Sequence, residues 1–296
     1  MRKFKIGFAF GGGGVRGFAH LGIISVLEKN GIYPDAIAGT SMGALMGALY
    51  ACFMDSTQVR IEVERFFKSK IPGQIMEITS KLLKEKPFGR LLSNAMQFFL
   101  INRTAQKTSV FTESQIEKFY SYIPVPQNFS ELKIPFCAVA TDIENATVKC
   151  FWDGNLRRAV LASSSVQGYF PPVKIDETLL IDGGIIMSVP VSPLKERCDF
   201  VIAFDVRSNE KKQKEFKNGV EILKRADEIA SHRLSDIEVQ KADFVLRPDV
   251  GDINWSDFNK WEFCIEKGRQ IALLKLEELK KKIKHKKAKT FLKRLL

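Results

Sequence analysis

Ala36-Ile37-Ala38-Gly39-Thr40-Ser41-Met42-Gly43-Ala44-Leu45-Met46-Gly47 sets a G-x-S-x-G between a short apolar run and a helix of small residues. A nucleophile elbow has this composition: its strained strand-to-helix turn leaves no room for side chains at Gly39 and Gly43 and pushes Ser41 beyond the sheet edge. The helix N-terminus behind Ser41 favours negative charge developing there. A serine in a tight packing turn is the competing reading, and the strand-turn-helix setting speaks for the nucleophile.

Upstream of the elbow, Phe18, Leu21, Ile24 and Leu27 recur at helical spacing after a first strand, Phe4 to Phe10, and Gly31 stops that helix. Further β-rich runs at Ile134 to Thr141, Leu179 to Asp182, Phe200 to Val206 and Phe244 to Leu246 alternate with helical patterns. Such alternation predicts an α/β fold, a largely parallel sheet with helices on both faces. Residues 55–130 break the rhythm. They read as a helical insertion, with Phe88, Leu91, Leu92, Ala95, Met96 and Phe99 on one face of a helix that Pro87 starts. That face either packs on the core or forms a lid or lipid-facing surface, which the unbroken run Phe98-Phe99-Leu100-Ile101 favours. A last amphipathic helix is expected from Trp261 to Ile283, so one domain spans 1–275 and a basic tail, amphipathic or disordered, spans 276–296.

Gly11-Gly12-Gly13-Gly14-Val15-Arg16-Gly17 follows the first strand directly. Consecutive glycines let backbone N–H groups turn toward one point, where they serve a phosphate or the oxyanion of a tetrahedral intermediate. Gly12, Gly14 and Gly17 also satisfy G-x-G-x-x-G, but a dinucleotide fold wants an acid at the end of the second strand. Here Asp35 precedes that strand, which ends in Gly39-Thr40-Ser41. An oxyanion hole beside a nucleophile explains both glycine clusters at once.

A nucleophilic serine needs a base within reach. His20 lies inside the first helix, His285 in the basic tail, and His232 in the charged helical stretch Ala230-Ser231-His232-Arg233. The order Ser41, Asp182, His232 fits a hydrolase triad, although the triad histidine normally sits on a loop after the last strand. Asp182-Gly183-Gly184 closes the strand Leu179-Leu180-Ile181 with glycines that permit a tight turn. In a parallel sheet the carboxyl ends of strands converge on one edge, where Ser41 and the glycine loop should also lie. A turn aspartate capping its own backbone is the plainer alternative.

Composition sets outer limits. A chain of 296 residues with 45% hydrophobic and 27% charged residues is of ordinary globular type. No run approaches the roughly 18 apolar residues that crossing a bilayer takes, so membrane contact is expected to be peripheral. Met1-Arg2-Lys3-Phe4 carries signal-like charge, but the apolar stretch after it is shorter than a secretory h-region and reads as a cytoplasmic N-terminus. Five scattered cysteines without a C-x-x-C pair predict neither a disulfide framework nor a metal site. Of the net charge of +12, nine charges fall within 280–296, where no acid occurs, leaving +3 elsewhere. Lysines alternating there with Ile283, Phe291, Leu292, Leu295 and Leu296 suit an interfacial helix on anionic lipid, or solvated disorder. No aromatic platform accompanies them, which speaks against nucleic acid.

The motifs together resemble the patatin-like phospholipases over about residues 4 to 275. The resemblance rests on Gly12-Gly13-Gly14-Val15-Arg16-Gly17 followed by Phe18-Ala19-His20-Leu21-Gly22, and on the elbow Gly39-Thr40-Ser41-Met42-Gly43. It continues through Ala162-Ser163-Ser164-Ser165, Phe170-Pro171-Pro172-Val173, Asp182-Gly183-Gly184 and Val189-Pro190-Val191, with a similar late strand at Ala242-Asp243-Phe244-Val245. It implies a three-layer α/β/α sandwich and lipid acyl hydrolysis without a cofactor, of the phospholipase A or lysophospholipase type. Ser41 would be the nucleophile, Asp182 the base, and Gly12 to Arg16 the oxyanion loop. Gln167 stands where the family usually has proline, and Met187-Ser188 where asparagine or proline is usual. A catalytically silent, membrane-associated lipid-binding protein and an esterase using His232 are the rival readings. An aspartate base ordinarily titrates near 3.9, so burial, helped by a water-excluding lid, is expected to raise it.

Overall fold

The computed structural model describes residues 3–69, 107–208, 215–216 and 218–295. β1 (Ile6–Phe10) passes through the glycine loop into α1 (Ala19–Lys29), and β2 (Ala36–Thr40) turns at Ser41 into α2 (Met42–Phe53). α3 (Ser56–Lys68) and α4 (Glu113–Ser121) flank the part of the expected insertion, including Phe88 to Ile101, that lies outside the described residues. β3 (Phe136–Asp142), β4 (Thr147–Phe151), α5 (Leu156–Ser163), β5 (Val173–Ile175), β6 (Thr178–Asp182) and the short α6 (Ser192–Lys195) come next. β7 (Phe200–Phe204), α7 (Gly219–Val239), β8 (Phe244–Leu246) and α8 (Trp261–Leu295) complete the order. No helix among the described residues is long and apolar enough to cross a membrane.

The strands form one mixed sheet in the order β5-β6-β3-β2-β1-β7-β8, with β4 also paired to β3. β3, β2, β1, β7 and β8 are parallel, as the alternating pattern predicted. Side chains alternate across the sheet. Phe8, Phe10, Ile37, Ile202 and Phe204 form one thick layer with α1, α2 and α8, whereas Ala9, Ala38, Val201 and Ala203 face a thinner layer that includes Leu194 of α6. Two strands escaped the sequence reading. β4 is largely exposed and its apolar residues are interrupted by Thr147 and Lys149, and β5 has three residues, so neither forms a sustained apolar run; the ladder to β3 and β6 creates them.

Placement of Asp182 requires a correction to the parallel-edge expectation. β6 runs antiparallel to β3, pairing Asp182 with Ala140 and Leu180 with Asp142. β2 runs parallel to β3 and pairs Thr40 with Val139. Because β4 pairs with residues 138–142 of β3, it occupies the other side of that strand. β2 and β6 therefore share one side of β3 and meet end to end between Val139 and Ala140. Opposed strand directions bring the two carboxyl termini together head-on.

α2, the helix that follows Ser41, is fixed through Glu28 of α1. One Glu28 oxygen accepts from the Tyr50 hydroxyl at 2.8 Å, and both accept from the Ser56 N–H at 3.1 Å, which joins α1, α2 and α3. On the same side of the sheet, α8 starts with Trp261 against Phe67 and Phe18 and passes Phe244, reaching Asp243 through Lys286 at 2.9 Å. Asp243 precedes β8, so α8 runs from the sheet edge that carries Ser41 to the opposite edge. The helix expected to end near Ile283 continues to Leu295.

Replacing Glu28 with Ala leaves the buried Tyr50 hydroxyl and the first turn of α3 without an acceptor. A loss of about 2 to 3 kcal/mol in urea unfolding is expected. An unchanged midpoint and slope would contradict this role for Glu28.

Candidate active site

Ser41 adopts φ 56° and ψ −124° between β2 and α2. A non-glycine residue there costs of order 1 to 3 kcal/mol. The elbow is held by contact: a Cβ on Gly39 would lie 2.3 Å from the Gly43 carbonyl oxygen, and one on Gly43 2.1 Å from that of Phe10. Both glycines thus sit where the sequence placed them, under a serine that the turn lifts clear of β2.

The Ser41 hydroxyl donates to Asp182 Oδ2 at 2.5 Å. The other carboxylate oxygen, Oδ1, accepts the Gly184 N–H at 2.7 Å across the Gly183-Gly184 turn. Thr141 Oγ1 donates to the Asp182 carbonyl at 3.0 Å. Burial pushes the Asp182 pKa up to about 6, against the opposing pull of the Ser41 and Gly184 hydrogen bonds. The carboxyl is therefore basic enough to accept a proton near neutral pH yet still mostly ionised there.

The serine block after α5, quoted from sequence only as part of a resemblance, holds both ends of this pair. Ser163 Oγ accepts the Ser41 N–H at 3.0 Å while donating to the Val139 carbonyl at 2.6 Å. Ser164 Oγ donates to the carbonyls of Val160, at 2.9 Å, and Ser41, at 3.3 Å. The Ser165 carbonyl accepts the Asp182 N–H at 2.9 Å. The signal for this role was present in sequence as three consecutive small hydroxyl residues ending a helix, but spacing alone gave them no target.

Of the five residues in the expected oxyanion loop, three spend their amides inside the protein. Gly12 N–H donates to the Ser188 carbonyl at 2.8 Å, Val15 N–H to that of Trp255 at 2.8 Å, and Arg16 N–H to that of Gly13 at 3.2 Å. The Gly13 and Gly14 amides have no acceptor among the described residues. The Arg16 side chain also donates through Nε to the Gly13 carbonyl, and burial lowers its pKa. His20 Nε2 donates to the Gly11 carbonyl at 2.8 Å, and burial pushes its pKa down to about 4, so it stands neutral as a brace of the loop.

These groups line a cleft of about 830 Å³. Met42, Leu45, Leu49, Val63, Phe66 and Phe119 make one wall apolar, while Arg16, Arg225, Glu228, Ser231 and His232 line a polar end. His232 belongs to α7, as its surroundings predicted, and does not intervene between Ser41 and Asp182, which bond directly. Gln167 lies at the cleft surface, whereas Met187 and Ser188 contribute carbonyl oxygens to Thr40 and Gly12. Backbone contacts of that kind tolerate a change of side chain. Among the described residues no group of three or more His, Cys, Asp or Glu side chains is arranged to hold a metal ion.

Fold and site together define an α/β/α sandwich that carries a serine elbow hydrogen-bonded to a buried carboxylate. The family model "Patatin-like phospholipase" matches residues 8–195, which include the glycine loop, the elbow and the Asp182 turn, and the chain belongs to that family. Patatin-like phospholipase domain-containing protein 7 of Rattus norvegicus is 33% identical over 208 residues, covering 69% of this chain and 14% of that protein. Lysophospholipase NTE1 of Meyerozyma guilliermondii is 30% identical over 204 residues, covering 69% of this chain and 13% of that protein. The chain thus matches about one seventh of the length of these curated relatives. Among solved structures, VipD from Legionella pneumophila shares the fold at a TM-score of 0.50 and 13% identity, over 93% of this chain and 67% of that one.

Replacing Ser163 with Ala strands the Ser41 N–H and the Val139 carbonyl. A stability loss of about 1 to 3 kcal/mol is expected, with kcat falling while KM for a soluble ester stays put. A selective change in KM would place Ser163 in substrate binding instead.

Proposed function

We propose that the protein is a serine acyl hydrolase of lipid esters, of the phospholipase A or lysophospholipase type, working through a Ser41-Asp182 dyad. The 2.5 Å hydrogen bond from Ser41 Oγ to a buried carboxylate carries this reading. As Oγ attacks the ester carbonyl carbon, its proton passes to Asp182 Oδ2. The Gly13 and Gly14 N–H groups hold the resulting oxyanion, with Gly12, Val15 and Arg16 fixing the loop around them. Each such donor contributes about 2.7 to 4 kcal/mol to the transition state. Collapse breaks the bond to the alkoxy oxygen, which leaves with the proton from Asp182. A water molecule, deprotonated by Asp182, then attacks the acyl-enzyme and frees the fatty acid and Ser41.

The two ends of the cleft suit an ester of this kind. The apolar wall built by α2, α3 and Phe119 accommodates an acyl chain, and the end near Arg16 and Arg225 accommodates a polar head group. Any contact that the basic tail over 280–296 makes with anionic lipid is separate from substrate entry, because α8 delivers the tail to the sheet edge opposite the cleft.

Ser41→Ala and Asp182→Asn should each lower kcat on a lysophospholipid and on a short-chain aryl ester at least about 1,000-fold in folded protein. Retained turnover in either variant defeats the dyad. In the wild type, kcat/KM should rise with pH through one ionisation near 6, since only the ionised Asp182 accepts the proton. A profile that stays flat over roughly one pH unit either side of that ionisation would count against Asp182 as the base.

The raised pKa also has a consequence for stability. The folded value exceeds the unfolded one, so the native state holds the proton more tightly and loses about 3 kcal/mol as pH rises from about 4 through 6. Asp182→Asn keeps an acceptor for Gly184 without the buried charge. The inactive variant should therefore melt above the wild type at pH 8, roughly two units past that titration, and lose this advantage in acid. A wild type that melts higher at alkaline pH would show that the carboxylate is stabilised by its site.

A further inference from the structure

α7 is amphipathic in the reverse of the usual sense. At 3.6 residues per turn, Ile222, Leu223, Ala226, Ile229, Leu234 and Ile237 fall on one arc of about 140°. All six are exposed, with Leu223 at 72% and Ile237 at 59%. Arg233 is the one charged side chain within that arc. The opposite face is polar and points inward: Arg225, Glu228, Ser231 and His232 line the cleft.

Anchors on that inner face decide the orientation. Arg207, beyond the end of β7, donates to the His232 carbonyl at 3.0 Å and to Asp236 at 2.9 Å, while pairing with the fully buried Asp205 at 2.8 Å. Ser231 Oγ donates to the Gly184 carbonyl at 2.8 Å, in the turn that also holds Asp182. Ser231 thus ties the polar side of α7 to the Asp182 turn, and the neighbouring His232 ties it through its carbonyl to Arg207. The apolar row cannot roll inward without breaking these bonds, so it faces away from the protein.

We propose that the outer face of α7 is the surface by which the protein docks on a lipid layer, with the apolar row entering the interface and the cleft opening onto it. The proposal rests on the hydrolase reading. Lipid fits better than a protein partner because the same helix walls the cleft that a lipid substrate has to enter. A single cation and no acid within the arc fits an interface of lipid head groups. The basic tail cannot substitute for this surface: from Trp261 to Lys286 α8 rises about 37 Å, away from the cleft edge.

The test uses co-sedimentation of full-length protein carrying Ser41→Ala with zwitterionic phosphatidylcholine vesicles. Combining Leu223→Gln, Leu234→Gln and Ile237→Gln should weaken partition roughly tenfold or more, at low and high salt alike, whereas removing residues 280–296 should not. With Ser41 restored, the triple variant should hydrolyse a soluble short-chain ester like its parent and fall behind only on vesicles. Equal partition of triple variant and parent, or no partition of the parent, overturns the proposal. So does a parent that sediments as a dimer and becomes monomeric in the triple variant, which would assign the face to a second copy. Failure of the parent to cleave soluble ester would refute the hydrolase reading alone, since partition is measured without turnover.

Discussion

Two strands of opposite direction end at the same point along β3, and the site depends on that junction. β2 delivers Ser41 opposite Val139, and β6 delivers Asp182 opposite Ala140. Neighbouring residues of one strand thus set the spacing of Ser41 and Asp182, which no flexible loop has to find. Ser163 reinforces the same point by bonding to the Val139 carbonyl and the Ser41 amide. A register slip of β6 by one residue would turn the carboxylate to the other face of the sheet.

The junction is also where the structure stores unfavourable energy. Ser41 occupies a strained backbone region, and Asp182 is a buried acid without a cation among its bonded partners. Each costs a few kcal/mol, and the close-packed core of Phe8, Phe10, Phe136 and Phe204 beneath them offsets it. The same burial that destabilises the carboxylate gives it useful basicity. Asp205, a second buried acid just past the end of β7, shows the contrast: burial would raise its pKa too, but Arg207 and Arg247 hold it below the usual range. One acid is neutralised for structure and the other left reactive.

Much of this was legible in the sequence, for identifiable reasons. The parallel strands announced themselves as apolar runs because both of their faces are buried, and Gly39 and Gly43 because no side chain fits beside the elbow. Asp182 stood out at a strand end before two glycines. What the sequence concealed was tertiary. The direction of β6 depends on its pairing with β3, and the serine block gains its meaning only from partners on other elements, Val139, Asp182 and the distant Ser41. The glycine loop likewise gave five equivalent donors until Ser188 and Trp255 claimed two of them. The outward direction of the apolar row on α7 is a tertiary property, set by the bonds from Arg207 and Ser231.

The central claim is that Ser41 is made nucleophilic by the ionised Asp182 alone. Its most direct measurement is the rate at which a fluorophosphonate probe labels the protein, followed by intact mass and peptide mapping across the pH range around 6. Labelling confined to Ser41, accelerating through one ionisation near pH 6 and abolished by Asp182→Asn but preserved in His232→Ala, is the predicted result. Labelling that survives loss of Asp182, or that disappears with His232, would contradict it.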